Sequence, residues 1–143
     1  MKKILLVVVC SFLIGGGLAF YFFNGSVKKN DKKDGYEEIS AFQIGVFSNY
    51  ENASKVALRN NGIVVNDNDV YRVYVAMFKD QEVINMLGSY YKNIGLNYYI
   101  KDVIVSSSFV DDIGIYEEML KKSSSDTYST INSDVLTKYQ EYL

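Results

Sequence analysis

One short pattern occurs twice in the chain, and it restricts the fold more than any other feature. Gly45-Val46-Phe47-Ser48-Asn49-Tyr50-Glu51 lines up with Ala76-Met77-Phe78-Lys79-Asp80-Gln81-Glu82, 31 residues later. Each copy is the end of an apolar strand closing on Phe, followed by a cap residue (Asn49 or Asp80) and a helical run. Ser48 with Glu51 also fits a capping box. Each helix runs to a glycine, Gly62 or Gly95, where a left-handed C′ position suits Gly best. A second strand follows each helix, around Ile63 to Asn66 and Tyr98 to Val105. The strands alternate with period two, Phe42, Ile44 and Val46 against Gln43, Gly45 and Phe47. In the second copy Tyr71, Val73, Val75 and Met77 alternate with Arg72, Tyr74, Ala76 and Phe78. Ala53, Val56 and Ala57 form one face of the first helix, and Val83, Leu87, Tyr90, Tyr91 and Ile94 one face of the second. Asn66-Asp67-Asn68-Asp69 is the turn between the halves. The pattern predicts an α+β fold of order βαββαβ: a four-stranded antiparallel sheet with two helices on one face.

Two helices on one face leave the other face of the sheet open. Strict alternation assigns Phe42, Ile44, Val46, Val73, Val75 and Met77 to the core. It assigns Gln43, Gly45, Phe47, Arg72, Tyr74 and Phe78 to the open face, with Tyr99 and Lys101 joining from the last strand. An amide, a guanidinium and aromatic rings on one surface suit a flat polar ligand. Sugar rings stack their C–H faces on aromatics and exchange hydrogen bonds with Gln and Arg. Gln43, Arg72, Tyr74, Phe47 and Phe78 are therefore the candidate binding residues.

The chain of 143 residues has room for one domain of ordinary size beyond its N-terminal segment. Ile4 to Phe23 is a run of 20 residues without a charge, preceded by Lys2 and Lys3. At about 1.5 Å per residue such a helix spans a hydrocarbon core of roughly 30 Å. Gly17-Leu18-Ala19 resembles a cleavage site, but Phe20-Tyr21-Phe22-Phe23 carries the apolar run past it. The expected organisation is a transmembrane anchor over 1–23, a polar tether over 24–38, the βαββαβ domain over 39–105 and a helical hairpin over 106–143. Lys28, Lys29, Lys32 and Lys33 outnumber the lysines before the anchor, and that count alone puts the C-terminal domain in the cytoplasm. In the hairpin, Phe109, Ile113, Tyr116, Met119 and Leu120 form one apolar stripe. Ser123-Ser124-Ser125-Asp126 interrupts it, and Tyr128, Ile131, Val135, Tyr139 and Tyr142 form another. The simplest arrangement packs this hairpin on its own domain. A hairpin lying over the open sheet face would block a ligand there.

Phe42-Gln43-Ile44-Gly45-Val46-Phe47 followed by Asn52-Ala53 resembles the opening of a SPOR (sporulation-related repeat) domain. Tyr71-Arg72-Val73-Tyr74-Val75-Ala76-Met77-Phe78 resembles that family's third strand, with Ala76-Met77 in place of its Gly-Pro. The resemblance covers roughly Ala41 to Val105. It implies binding of peptidoglycan glycan strands stripped of their stem peptides, on the open sheet face, with Gln43 and Arg72 at family positions. It further implies an extracytoplasmic domain on a single-pass cell-membrane anchor, at the division or sporulation septum. That orientation opposes the lysine count.

Three other classes compete. RNA-recognition domains share the βαββαβ order, but their strand signature is missing. From Tyr36 onward there are 9 Lys+Arg against 15 Asp+Glu, a net of −6, which suits no phosphate-backbone binder. Hydrolysis lacks candidates. With no histidine there is no Ser-His or Cys-His nucleophile, and Cys10 is the one cysteine. The acidic pairs Glu37-Glu38, Asp111-Asp112 and Glu117-Glu118 are sequence neighbours that diverge in space, so none is a catalytic dyad. No catalytic, metal or cofactor site is expected. The third class is a protein-interaction module on the same scaffold, using the C-terminal helices.

Overall fold

The computed structural model describes residues 35–143. The span expected over residues 4–23 and most of the tether lie outside the described residues. Among the described residues no helix is long and apolar enough to cross a membrane. The described residues form one compact unit. It is α+β, with β1 (Tyr36–Phe47), α1 (Tyr50–Arg59), β2 (Ile63–Asp67), β3 (Val70–Phe78), α2 (Gln81–Asn93), β4 (Tyr99–Ser106), α3 (Ser107–Lys122), a 3₁₀ turn (Ser125–Thr127) and α4 (Tyr128–Gln140). The strands form one antiparallel sheet in the order β2-β3-β1-β4. The sheet begins at Tyr36, so the last residues of the expected tether are strand.

Local chemistry explains the helix ends. Asn49 caps α1 by accepting from the Asn52 N–H at 3.2 Å. The cap is thus Asn49 rather than a Ser48–Glu51 box. Asp80 caps α2 through the Glu82 and Val83 N–H groups, and Ser106 caps α3 through that of Phe109. Both α1 and α2 end in a Schellman motif. The Gly62 N–H reaches the Ala57 carbonyl, and the Leu96 N–H reaches that of Tyr91, each at 2.9 Å. The left-handed residue is Gly95 in the second motif (φ +72°) but Asn61 in the first (φ +52°). Gly62 has a different reason to be glycine: a Cβ there would stand 2.6 Å from the Tyr74 carbonyl oxygen.

The register of the sheet departs from strict alternation. Pairing between β1 and β3 shifts twice, between Phe42 and Gln43 and between Gln43 and Gly45. Residues paired across strands share a face, so each shift changes the parity of the strand beyond it. Phe47 pairs with Tyr71, and both pack with Val73 against Ala53 and Ala57 of α1. Phe42 packs on Tyr91 of α2, with ring centroids 5.3 Å apart. Phe42 and Phe47 therefore lie on the α1/α2 face. Val46, expected in the core, pairs with Arg72 on the opposite face and is 46% exposed.

That opposite face is not open along its whole length. Ile39, Ala41, Met77 and Val105 are buried there in one core with Phe109, Ile113 and Leu120 of α3 and Ile131, Val135 and Leu136 of α4. The result is a three-layer sandwich, with α1 and α2 on one side of the sheet and the α3–α4 hairpin on the other. Phe109, Ile113, Leu120, Val135 and Leu136 are each at most 1% exposed. Full burial of such a side chain stabilises by about 1.5–3 kcal/mol, so five of them make the hairpin a fixed layer and not a lid. Polar ties close its rim. Glu117 accepts from the backbone N–H of Lys79 and Asp80, Lys121 pairs with Asp80 at 2.7 Å, and Lys79 pairs with Glu37.

Candidate functional site

The hairpin leaves uncovered a strip at the end of the face nearest the β2–β3 turn. Two rows of paired residues cross it. Ile63, Tyr74, Gln43 and Tyr99 form one row over all four strands, in which the hairpin covers Tyr74 alone, and Val65, Arg72 and Val46 form the next. Side-chain hydrogen bonds link the rows. Arg72 Nη1 donates to Gln43 Oε1 at 2.9 Å, and Arg72 Nε donates to Asp67 Oδ2 at 2.6 Å. Asp67 ends β2, and a two-residue turn with Asn68 at φ +58° returns the chain to Val70. The tight turn brings Asp67 back beside the strand that carries Arg72.

The electrostatics reflect this geometry. The Arg72 guanidinium hydrogen-bonded to Asp67 holds that carboxyl below the usual carboxylate range, against the opposing pull of partial burial, and Lys101 adds to the lowering. Arg72 keeps a half-buried position, its side chain 22% exposed. Its guanidinium has five donors, of which these bonds engage two. The Gln43 amide nitrogen remains as a further donor. Tyr99, which pairs with Gln43 from β4, is 67% exposed and gives the strip an aromatic surface. Beside it, a groove of about 340 Å³ runs between Val65, Asp67, Tyr74 and Lys101 on the sheet and Tyr139 and Leu143 at the end of α4.

The five residues expected on the open face separate into three groups. Gln43 and Arg72 are brought together as expected. Tyr74 lies on the same face but is only 2% exposed, because the hairpin layer covers it, and burial raises its phenol pKa to about 12. It is a wall of the core rather than an exposed platform. Phe47 is on the other face against α1, placed there by the second register shift. Phe78 is fully buried and pairs with Ser40, which faces α2. Two residues carry more than the sequence suggested. Asp67 is one of several carboxylates (with Asp69 and Glu51) that the sequence offers Arg72 as ion-pair partners, and the register of the β2–β3 hairpin selects it. Tyr99 was secondary in the alternation pattern, yet it is the exposed aromatic of the strip.

The arrangement offers donors, a fixed cation and a ring, and no paired carboxylates poised for acid–base work. Glu37 and Asp80, like Asp67, are held below the usual carboxylate range by hydrogen bonds to Lys79 and Lys121 respectively. Among the described residues no group of His, Cys, Asp and Glu could hold a metal ion.

No protein-family model matches the chain, and no curated protein matches it. Among solved structures, the peptidoglycan binding domain of the B. subtilis cell wall lytic enzyme CwlC aligns over 51% of this chain and 96% of its own length, at 23% identity and a TM-score of 0.40.

Proposed function

We propose that the chain binds the glycan strands of peptidoglycan without turning them over, and that a membrane anchor over residues 1–23 holds it in the cell envelope with the described domain outside the cytoplasm. On this reading it gathers at the division or sporulation septum, where denuded strands are exposed. The observation that carries the proposal is the Asp67–Arg72–Gln43 hydrogen-bonded chain on the uncovered strip, flanked by the exposed Tyr99 ring. The SPOR-like strand motifs support the same ligand. The binding surface is narrower than a whole open sheet: Gln43, Arg72 and Tyr99 contact the sugar, Asp67 orients Arg72, and Tyr74, Phe47 and Phe78 support the fold. A shallow strip of this kind implies weak affinity for a single strand.

Co-sedimentation of the full chain with purified sacculi tests it. Retention should be higher on sacculi treated with an amidase that removes stem peptides than on intact sacculi. Equal retention, or none, contradicts glycan recognition.

A second reading is favoured by the hairpin itself. It occupies most of the face where a ligand was expected, and α3 presents Ile115 at 69% and Met119 at 46% exposure. A scaffold that recognises another protein through α3 would show no retention on either kind of sacculus. It would lose its partner on Ile115→Asp.

A further inference from the structure

β4 is an edge strand, and among the described residues no other strand pairs with its outer side. The edge carries few of the devices that usually blunt one. It runs for eight residues against five in β2, the opposite edge, pairs with β1 one for one without a bulge, and has no proline. The Ser107 N–H donates to the Gly35 carbonyl at 2.8 Å, one step beyond the Tyr36↔Ser106 pair. Bonded pairs alternate along an antiparallel ladder. Tyr99, Lys101, Val103 and Val105 therefore turn their N–H and C=O groups to β1, and Ile100, Asp102 and Ile104 turn theirs outward. The side chains of these three stand on the α1/α2 face, where Asp102 and Ile104 are exposed, Ile104 by 61%.

A groove of about 430 Å³ runs beside this edge, between Ile100 and α2. Ser40 from β1 and Asn85 and Ser89 from α2 line it with neutral polar groups, and Tyr98 adds a ring. Among the described residues that line it, Lys92 carries the one charge. Edge and groove together are the frame of strand addition, in which main-chain bonds give affinity and side-chain pockets give specificity. The charges on the strand select the occupant. A second copy, pairing antiparallel about a twofold axis, keeps each face on its own side and sets one residue against itself. The registers that overlap most of the strand oppose Asp102 to Asp102, Lys101 to Lys101, or Asp102 to Ile104. The first two are like-charge pairs and destabilising, and the third sets a carboxylate against an apolar side chain. A different chain meets no such limit.

We propose that β4 takes up an extended segment of another protein as an antiparallel fifth strand. The segment carries a β-branched residue opposite Ile104 and a basic residue two positions later, opposite Asp102. Two positions after that, opposite Ile100, it carries an acidic residue that reaches Lys92 in the groove. The proposal is independent of the glycan reading, and its failure leaves that reading standing. The test is fluorescence anisotropy of a labelled synthetic peptide with the core Val-Thr-Lys-Thr-Glu, titrated with the full chain. Saturable binding is expected, at least about tenfold tighter than for Val-Thr-Glu-Thr-Lys, in which the charges are exchanged. Asp102→Lys should weaken the first peptide and strengthen the second. Ile104→Pro removes an outward N–H and no bond to β1, so it should abolish binding with the circular dichroism spectrum unchanged. Equal affinity for the two peptides, no saturable binding, or binding that survives Ile104→Pro overturns the proposal. So does a concentration-dependent dimer, seen by sedimentation and lost with Ile104→Pro, which would assign the edge to a second copy.

Discussion

Arg72 is held at both ends of a short polar chain, and that places the chemistry of the strip on one guanidinium. A carboxylate that accepts from it fixes its plane, and an amide oxygen fixes its reach. The folded pKa of Asp67 lies below its unfolded value of about 3.9. The pair's contribution is thus fully present above the unfolded value and is lost as pH falls through the lowered folded value. Retention on denuded sacculi should therefore be flat from about pH 8 to pH 5 and fall only below about pH 4. Asp67→Asn should weaken retention at neutral pH and flatten its acid limb. An acid limb unchanged by that substitution would show that Asp67 does not position Arg72.

Elements with local signals were legible in the sequence. The helix faces of α1 and α2 apart from the exposed Ile94, the caps Asn49 and Asp80, and the Gly95 terminus follow from spacing and cap chemistry within a few residues. Strand parity was not legible, because it depends on which residue of β3 pairs with which residue of β1. The shift between Gln43 and Gly45 moves Val46 and Phe47, and the shift between Phe42 and Gln43 moves Met77 and Phe78, to faces opposite to those that alternation assigns. No local property of these residues records either shift. Asp80 shows how much one cap ties together: it accepts from two N–H groups of α2, at 2.8 and 3.2 Å, and from Lys121 of α3 at 2.7 Å. Asp80→Ala should lower stability by about 0.5–2 kcal/mol, measured by denaturant unfolding. Asp80→Asn keeps the cap and should cost less. Equal costs would assign the effect to the Lys121 pair instead.

At the scale of the whole molecule, the hairpin changes what the sheet can do. The apolar stripes of α3 and α4 were readable, and so was their packing on the domain. Which face they would cover was not, since either side of a four-stranded sheet can accept two amphipathic helices. By burying Tyr74, Met77 and Val105 the hairpin turns most of this face into core and leaves exposed surface only at its end. It should also unfold with the sheet. Leu136, 1% exposed, sits in this shared core. Leu136→Ala should cost about 2–5 kcal/mol, in a single transition reported alike by far-ultraviolet circular dichroism and tyrosine fluorescence. Two separated transitions would mean that the hairpin is an independent layer.

On the proposed function the uncovered strip, and not the face as a whole, meets the glycan. The most direct measurement is retention of full-chain variants on amidase-treated sacculi. Gln43→Ala and Tyr99→Ala should each lower retention severalfold without altering the circular dichroism spectrum, whereas Tyr74→Phe should bind as the parent does. Retention unaffected by Gln43→Ala and Tyr99→Ala but lost with Tyr74→Phe would contradict the account.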